Sequence, residues 1–295
     1  MTALDTADDE VPSRAPGPLD PWTVESWCET LIRATTVPGK IDPPPPPKAF
    51  ASPVPQPRRL DGPGRPAGWV VAAEGTRTPK PGGLADPTAK ARLLHTFFHH
   101  ELQAAELLAW AVLAFPETPE PFRRGLVALC LDELRHARLY AEEIRRAGHE
   151  LGDFPVRDWF WERIPACPDA SAFVATLGLG FEGGNLEHTR TFAARFRAVG
   201  DERGARLQER IGREEVAHVR FAHRWFLALT GLPELDFDVW RTALPPPLSP
   251  MLMHGRPLAR DARRRAGQPA AFLDELDAWT PTSAPPGTLP PAAGS

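Results

Sequence analysis

Tyrosine is nearly missing from this chain, with one residue in 295, and cysteine is scarce, with three. Cys28, Cys130 and Cys167 are widely spaced, odd in number and lack a C-x-x-C pair. That argues against a disulfide framework and for a reducing compartment. No stretch approaches the roughly 18 apolar residues of a membrane span. No apolar segment follows a basic region at the start, which reads M-T-A-L-D-T-A-D-D-E. The expectation is a cytoplasmic protein without a membrane partner. A net charge of −4 offers no electrostatic case for nucleic acid.

Proline is abundant overall, with 36 residues, yet nearly absent from the middle of the chain. It is missing from 88–115, 122–154 and 169–232. Because proline breaks helix interiors, these windows mark where long helices can run. They imply an all-α fold: a four-helix bundle over 86–232, with Pro-rich irregular extensions at 1–85 and 233–295.

The first bundle helix should start at Asp86-Pro87 and reach Ala114, with Leu94, Phe97, Phe98, Glu101, Ala105 and Leu108 facing inward. The second should run from about Pro119 to Ala147, stopped by Gly148, with Leu126, Leu129, Cys130, Glu133, His136, Ala137 and Tyr140 on its stripe. About 20 residues, Gly148 to Pro168, then form one long crossover. A helix of roughly 40 Å needs at least about 12 extended residues to be spanned, so the length suffices. The third helix, about Asp169 to Val199, is interrupted by Gly178, Gly180, Gly183 and Gly184. Those glycines imply either close packing against bulky aromatics or a widened turn with room beside a site. The fourth should run from Asp201 to Thr230-Gly231.

Residues 1–20 read as acidic disordered chain, and a short helix over about 22–35 should open at Asp20-Pro21 with Trp22. Residues 37–85 should be extended chain wrapped on the bundle through Phe50, Trp69, Val70 and Val71. A short helix near 257–278 carries Arg260 to Arg265, R-D-A-R-R-R, which reads as a solvated face rather than a nucleic-acid contact.

Two phrases carry the chemistry. D-E-L-R-H places Glu133 three residues before His136, and E-E-V-A-H places Glu215 three before His218. On a helix, such residues share a face one turn apart, so each pair can grip one metal ion. Of nine histidines, only these two have a glutamate three residues earlier. Glu101 and Glu133 each lie about 14 residues, roughly 21 Å of helix, from the turn at 116–119, so they fall side by side. Glu182 is the corresponding partner of Glu215, with Glu187 as a contender. The chain thus repeats Glu101, Glu133, His136 as Glu182, Glu215, His218. Four buried carboxylates would be costly without cations, and two divalent ions would cancel their charge. Glu106 and Glu187 could be extra ligands or solvated charges. Asp132 and Glu214, each just before a ligand glutamate, are placed to accept the outer N–H of a ligating histidine. Tyr140 shares the stripe of Glu133 and His136, which suits packing, hydrogen bonding or a redox role.

The phrases L-L-H-T-F-F-H-H-E-L-Q-A-A-E-L-L-A-W, G-D-F-P-V-R-D-W-F-W and G-F-E-G-G-N-L-E-H-T resemble the ferritin-like superfamily, in its uncharacterised branch, the domain-of-unknown-function family numbered 455. The likeness covers about residues 20–275 and implies a four-helix di-metal fold without naming a substrate. Mixed carboxylate and imidazole ligation suits two iron ions, with manganese second, rather than structural zinc. The chemistry expected is an oxygen-activating oxidoreductase using dioxygen or peroxide and an unidentified small organic substrate. Iron oxidation or storage, peroxide removal and a metal-free scaffold are the alternatives. Substrate, electron donor and oligomeric state are not legible.

Overall fold

The computed structural model describes residues 17–74, 79–80 and 82–280, and within them the fold is helical. Capping chemistry sets the limits of the long helices. Asp86 caps α3 (Pro87–Ala114) by accepting from the Ala89 amide, with proline at the first turn. Helix α4 (Glu120–Arg146) follows the Pro119 turn and stops before Gly148, whose φ of 84° is favoured by glycine. Asp169 caps α5 (Ala170–Phe173), which continues without a break through a π-helical stretch, Val174–Glu182, into α6 (Gly183–Ala198). Asp201 caps α7 (Glu202–Thr230), which Gly231 ends in a left-handed conformation.

Side-chain pairs fix the topology. Tyr140 meets Gln208 and His136 meets Glu214, so α4 and α7 are antiparallel. Phe97 packs on Phe192 and Trp110 on Phe173, so α3 runs antiparallel to the α5–α6 rod. With α3–α4 and α6–α7 each joined by a short turn, α4 and α5–α6 must point the same way. Their connection therefore travels the length of the bundle. It does so along the outside of α3: His95 accepts from the Gly152 amide, His99 contacts Asp158, and Gln103 accepts from Phe160 N.

This cover explains why α3 is buried on almost every side from Leu93 to Phe115, beyond the single stripe its sequence suggests. Bundle partners take one face, and the crossover and amino-terminal extension take the other. Helix α1 (Val24–Arg33) begins two residues later than Trp22, which is 79% exposed. Asp20 and Pro21 form a turn before the true cap, Thr23. A second short helix, α2 (Val37–Ile41), was not anticipated. Its Lys40 is fully buried and donates to the Leu31 and Ile32 carbonyls at the end of α1 and to Glu106 at 2.6 Å. The strap then runs antiparallel along α3, with Arg65 bridging Glu106 and Asp158. Phe50 and Trp69 pack on the core as expected, but Val70 and Val71 are exposed, and it is their backbone that holds, paired with Val156. The acidic segment expected to be disordered lies almost wholly outside the described residues.

Beyond α7, α8 (Phe237–Thr242), α9 (Arg260–Arg265) and α10 (Ala270–Ala278) pack over the rod, so the expected helix over 257–278 is two. Its basic run is mostly a solvated face, with Arg264 and Arg265 exposed and only Arg263 of the arginines buried. Arg263 is buried on Glu187, while Arg260 pairs with Asp274 and Asp277, and Arg265 with Asp261. Among the described residues no helix is long and apolar enough to cross a membrane.

Candidate metal centre

Glu101, Glu133, His136, Glu182, Glu215 and His218 meet in the bundle interior, every one buried. They form two overlapping groups: Glu101, Glu133, His136 and Glu215, then Glu133, Glu182, Glu215 and His218. Within each group one ligand atom per residue lies within 4.8 Å of all the others. Glu133 and Glu215 belong to both, the position of bridging carboxylates. The i, i+3 spacing works as its geometry requires, and the two imidazoles stand nearly parallel with centroids 5.7 Å apart.

His136 Nδ1 lies 3.4 Å from Glu133 and 3.6 Å from both Glu101 and Glu215. His218 Nδ1 lies 2.6 Å from Glu133 and 3.0 Å from Glu215. Yet these approaches lack hydrogen-bond alignment. Both Glu133 carboxylate oxygens, Glu215 Oε2, His136 Nδ1 and His218 Nδ1 are buried without a hydrogen-bond partner. Such orphaned groups are rare, because each carries a desolvation penalty of about 1–3 kcal/mol or more. Five of them aimed at one space fit a bound cation.

The electrostatics agree. Burial and the neighbouring Glu133 push the Glu101 carboxyl well above its usual range, and burial with Glu215 and Glu133 does the same to Glu182. Burial would also raise Glu133, but His218 and His136 hold it well below. Burial would lower His136, and the carboxylates of Glu101 and Glu133 instead lift it to about 12. These shifts favour the protonated forms of Glu101, Glu182, His136 and His218.

The outer nitrogens are held crosswise. His136 Nε2 on α4 donates to Glu214 on α7 at 2.8 Å, and His218 Nε2 on α7 lies 3.6 Å from Asp132 on α4. Arg135 joins both carboxylates, at 2.7 Å each. Asn185 donates to Glu215 at 3.1 Å. Sequence reasoning missed both residues. Arg135 lies inside D-E-L-R-H, three after Asp132, and could have been found. Asn185, three residues after Glu182, carried no comparable signal.

Glu106 and Glu187 are corrections. Neither faces the cluster and neither is solvated. Glu106 is buried against Lys40, Arg65 and the Trp161 indole N–H. Glu187 is clasped by both arms of the Arg263 guanidinium and by the Gly255 and Ala259 amides. The helix-three residue in the cluster is therefore Glu182. Gly180 and Gly183 receive the carboxy-terminal extension and Gly178 receives the bundle helix α7, none of them a bulky aromatic. An added Cβ would lie 2.5 Å from Met253 Sδ at Gly180, 3.1 Å from Arg263 at Gly183, and 2.4 Å from Ala222 Cβ at Gly178. Within the π-helical stretch the Ala175 carbonyl accepts from the Trp240 indole at 3.0 Å.

Two spaces adjoin the cluster. A small apolar void of about 20 Å³ lies between Leu126, Phe173, Leu177 and Ala222, with Glu133, Glu182 and His218 in its wall. A cavity of about 640 Å³ lies on the other side, lined by Glu101, Glu182, Tyr140 and several aromatics. Tyr140 is fully buried and accepts from Gln208 at 3.0 Å.

Over residues 25–274 the chain matches the family described as "Protein of unknown function (DUF455)", and it belongs to that family. No curated protein and no solved structure matches the chain.

Proposed function

We propose that this member of the DUF455 family is a di-metal carboxylate protein of the ferritin-like type, acting as an oxygen-activating oxidoreductase on a small organic substrate. Iron is the metal that suits the donor set best, with manganese second, because four carboxylates and two imidazoles offer mainly hard oxygen donors. Glu101 and His136 would hold one ion, Glu182 and His218 the other, and Glu133 and Glu215 both. A reduced iron pair supplies two electrons to dioxygen when bound.

The chain's own residues do the rest. Glu214 and Asp132 hold the two imidazoles by their outer nitrogens, so that each Nδ1 faces the cluster. His218 and Arg135 hold Asp132 down at about 2, and although burial would raise Glu214, Arg135 and His136 hold it at about 2 as well. The larger cavity brings an organic molecule against Glu101 and Glu182. A cavity of this size supports substrate chemistry over iron storage.

The observation that carries the reading is the convergence of four buried carboxylates and two imidazoles on one space, five of their atoms without an aligned hydrogen-bond partner. The test is metal analysis of protein purified without oxygen, followed by visible absorption on adding dioxygen. Two iron atoms per chain and a transient absorption support the reading. Protein that holds no iron, or assembles into a cage and mineralises it, overturns it.

A further inference from the structure

The larger cavity is long rather than round. Its wall on the α5–α6 rod is a stripe of Glu182, at the end of the π-helical stretch, and Asn185, His188, Phe192 and Arg195 on α6. From Glu182 to Arg195 is 13 residues of helix, roughly 20 Å of rise. Arg195 is the only lysine or arginine in the lining, and among the described residues no carboxylate lies within ion-pair distance of it. It is also held in place, with its guanidinium 5.1 Å from the Phe192 ring centroid. From there an aromatic ladder descends toward the cluster. Phe192 meets Phe97 edge-on at 4.8 Å, and Phe97 lies 5.6 Å from Tyr140. A second aromatic stack, Phe160 on Phe181 at 4.8 Å and 12°, also lines the cavity.

One cation at one end, and a shaft whose aromatic faces, Phe192, Phe97 and Phe160, alternate with the polar Asn185, His188 and Thr191, suit an elongated amphipathic molecule. We propose that the cavity binds a long apolar chain with an anionic head group. The head is held by Arg195, and the tail lies along Phe192 and Phe97 toward Glu101 and Glu182. A carboxylate or a phosphate ester would each satisfy Arg195, since a guanidinium presents paired donors to either. The assignment rests on the cluster being the reacting centre only for which end of the molecule reacts; the binding itself does not depend on it.

The test is calorimetric binding of dodecanoate, dodecyl phosphate and dodecanol to metal-loaded protein without oxygen, with metal content measured on the same sample. Dodecanoate or dodecyl phosphate should bind more tightly than dodecanol, and the better of the two identifies the head group. Arg195→Gln should weaken the anion by roughly ten- to hundredfold and leave dodecanol unchanged, with Arg195→Lys partly restoring it. Thr191→Trp, which fills the shaft, should weaken all three. Equal binding of anion and alcohol, no effect of Arg195→Gln, or no binding by protein carrying two metals overturns this inference and leaves the di-metal reading intact. Anion binding that depends on Arg195 in protein holding no metal supports the cavity assignment and sinks the di-metal reading.

Discussion

Replacing Glu182 by glutamine should make the metal-free protein more stable and shrink the stabilisation that metal adds. Glu182 is buried, and Glu215 and Glu133 crowd it, so its carboxyl is pushed well above the usual range. At neutral pH the metal-free fold must either leave it charged in low dielectric or protonate it, and both oppose folding. An uncharged amide of nearly the same shape removes that penalty, about 1–3 kcal/mol for a buried group of this kind. At about 2–4 °C per kcal/mol the midpoint of metal-free Glu182→Gln should rise by roughly 2–12 °C. Metal acts in the other direction. At a hundredfold excess over Kd it should stabilise wild type by about 2.7 kcal/mol, and a ten- to hundredfold loss of affinity would cut this to about 0.4–1.4 kcal/mol. Thermal unfolding of both proteins, with chelator and with ferrous ion under argon, reads both effects. A metal-free variant that melts below wild type, or one that keeps the whole ferrous increment, refutes the reasoning.

Other substitutions follow from the same geometry. Glu214→Ala and Asp132→Ala should each weaken metal binding by about 10–100-fold without unfolding the chain, read by competition with a chelating dye. Arg263→Met leaves Glu187 charged, buried and unpaired, and should destabilise by about 3–5 kcal/mol in urea titration, while the double variant with Glu187→Leu should recover most of that. Burial would raise Asp158, but His99 and Arg65 hold it at about 2. Its contribution of roughly 2 kcal/mol is therefore present above about pH 4 and lost as pH falls from there through about 2. Asp158→Asn should thus lose stability at pH 7, and the gap to wild type should close in acid. A gap that stays constant with pH would contradict this.

The long helices were legible because their signals are local. Asp86-Pro87, Asp169, Asp201 and Gly231 act within a few residues of where they sit, and proline-free windows bound what lies between. Glu133 with His136, and Glu215 with His218, were legible because one turn of helix fixes their relation. Glu101 followed from counting to a tight turn. Glu106 and Glu187 were misjudged because their partners are remote in sequence: Lys40 lies 66 residues before the first and Arg263 76 after the second. No local pattern distinguishes a glutamate that will meet such an arginine from one facing water. The glycines flanking Glu182 were ambiguous for the same reason. What they accommodate, Met253 and Arg263, arrives from an extension whose path is not periodic. Asn185 and Arg195 became readable only when α6 was placed against α3 and α7.

The central claim is tested most directly by anomalous diffraction from crystals grown without oxygen and soaked in ferrous ion. The account predicts two iron peaks per chain between Glu133 and Glu215, one beside His136 and the other beside His218. Iron absent from that space, or bound only elsewhere on the molecule, would contradict it.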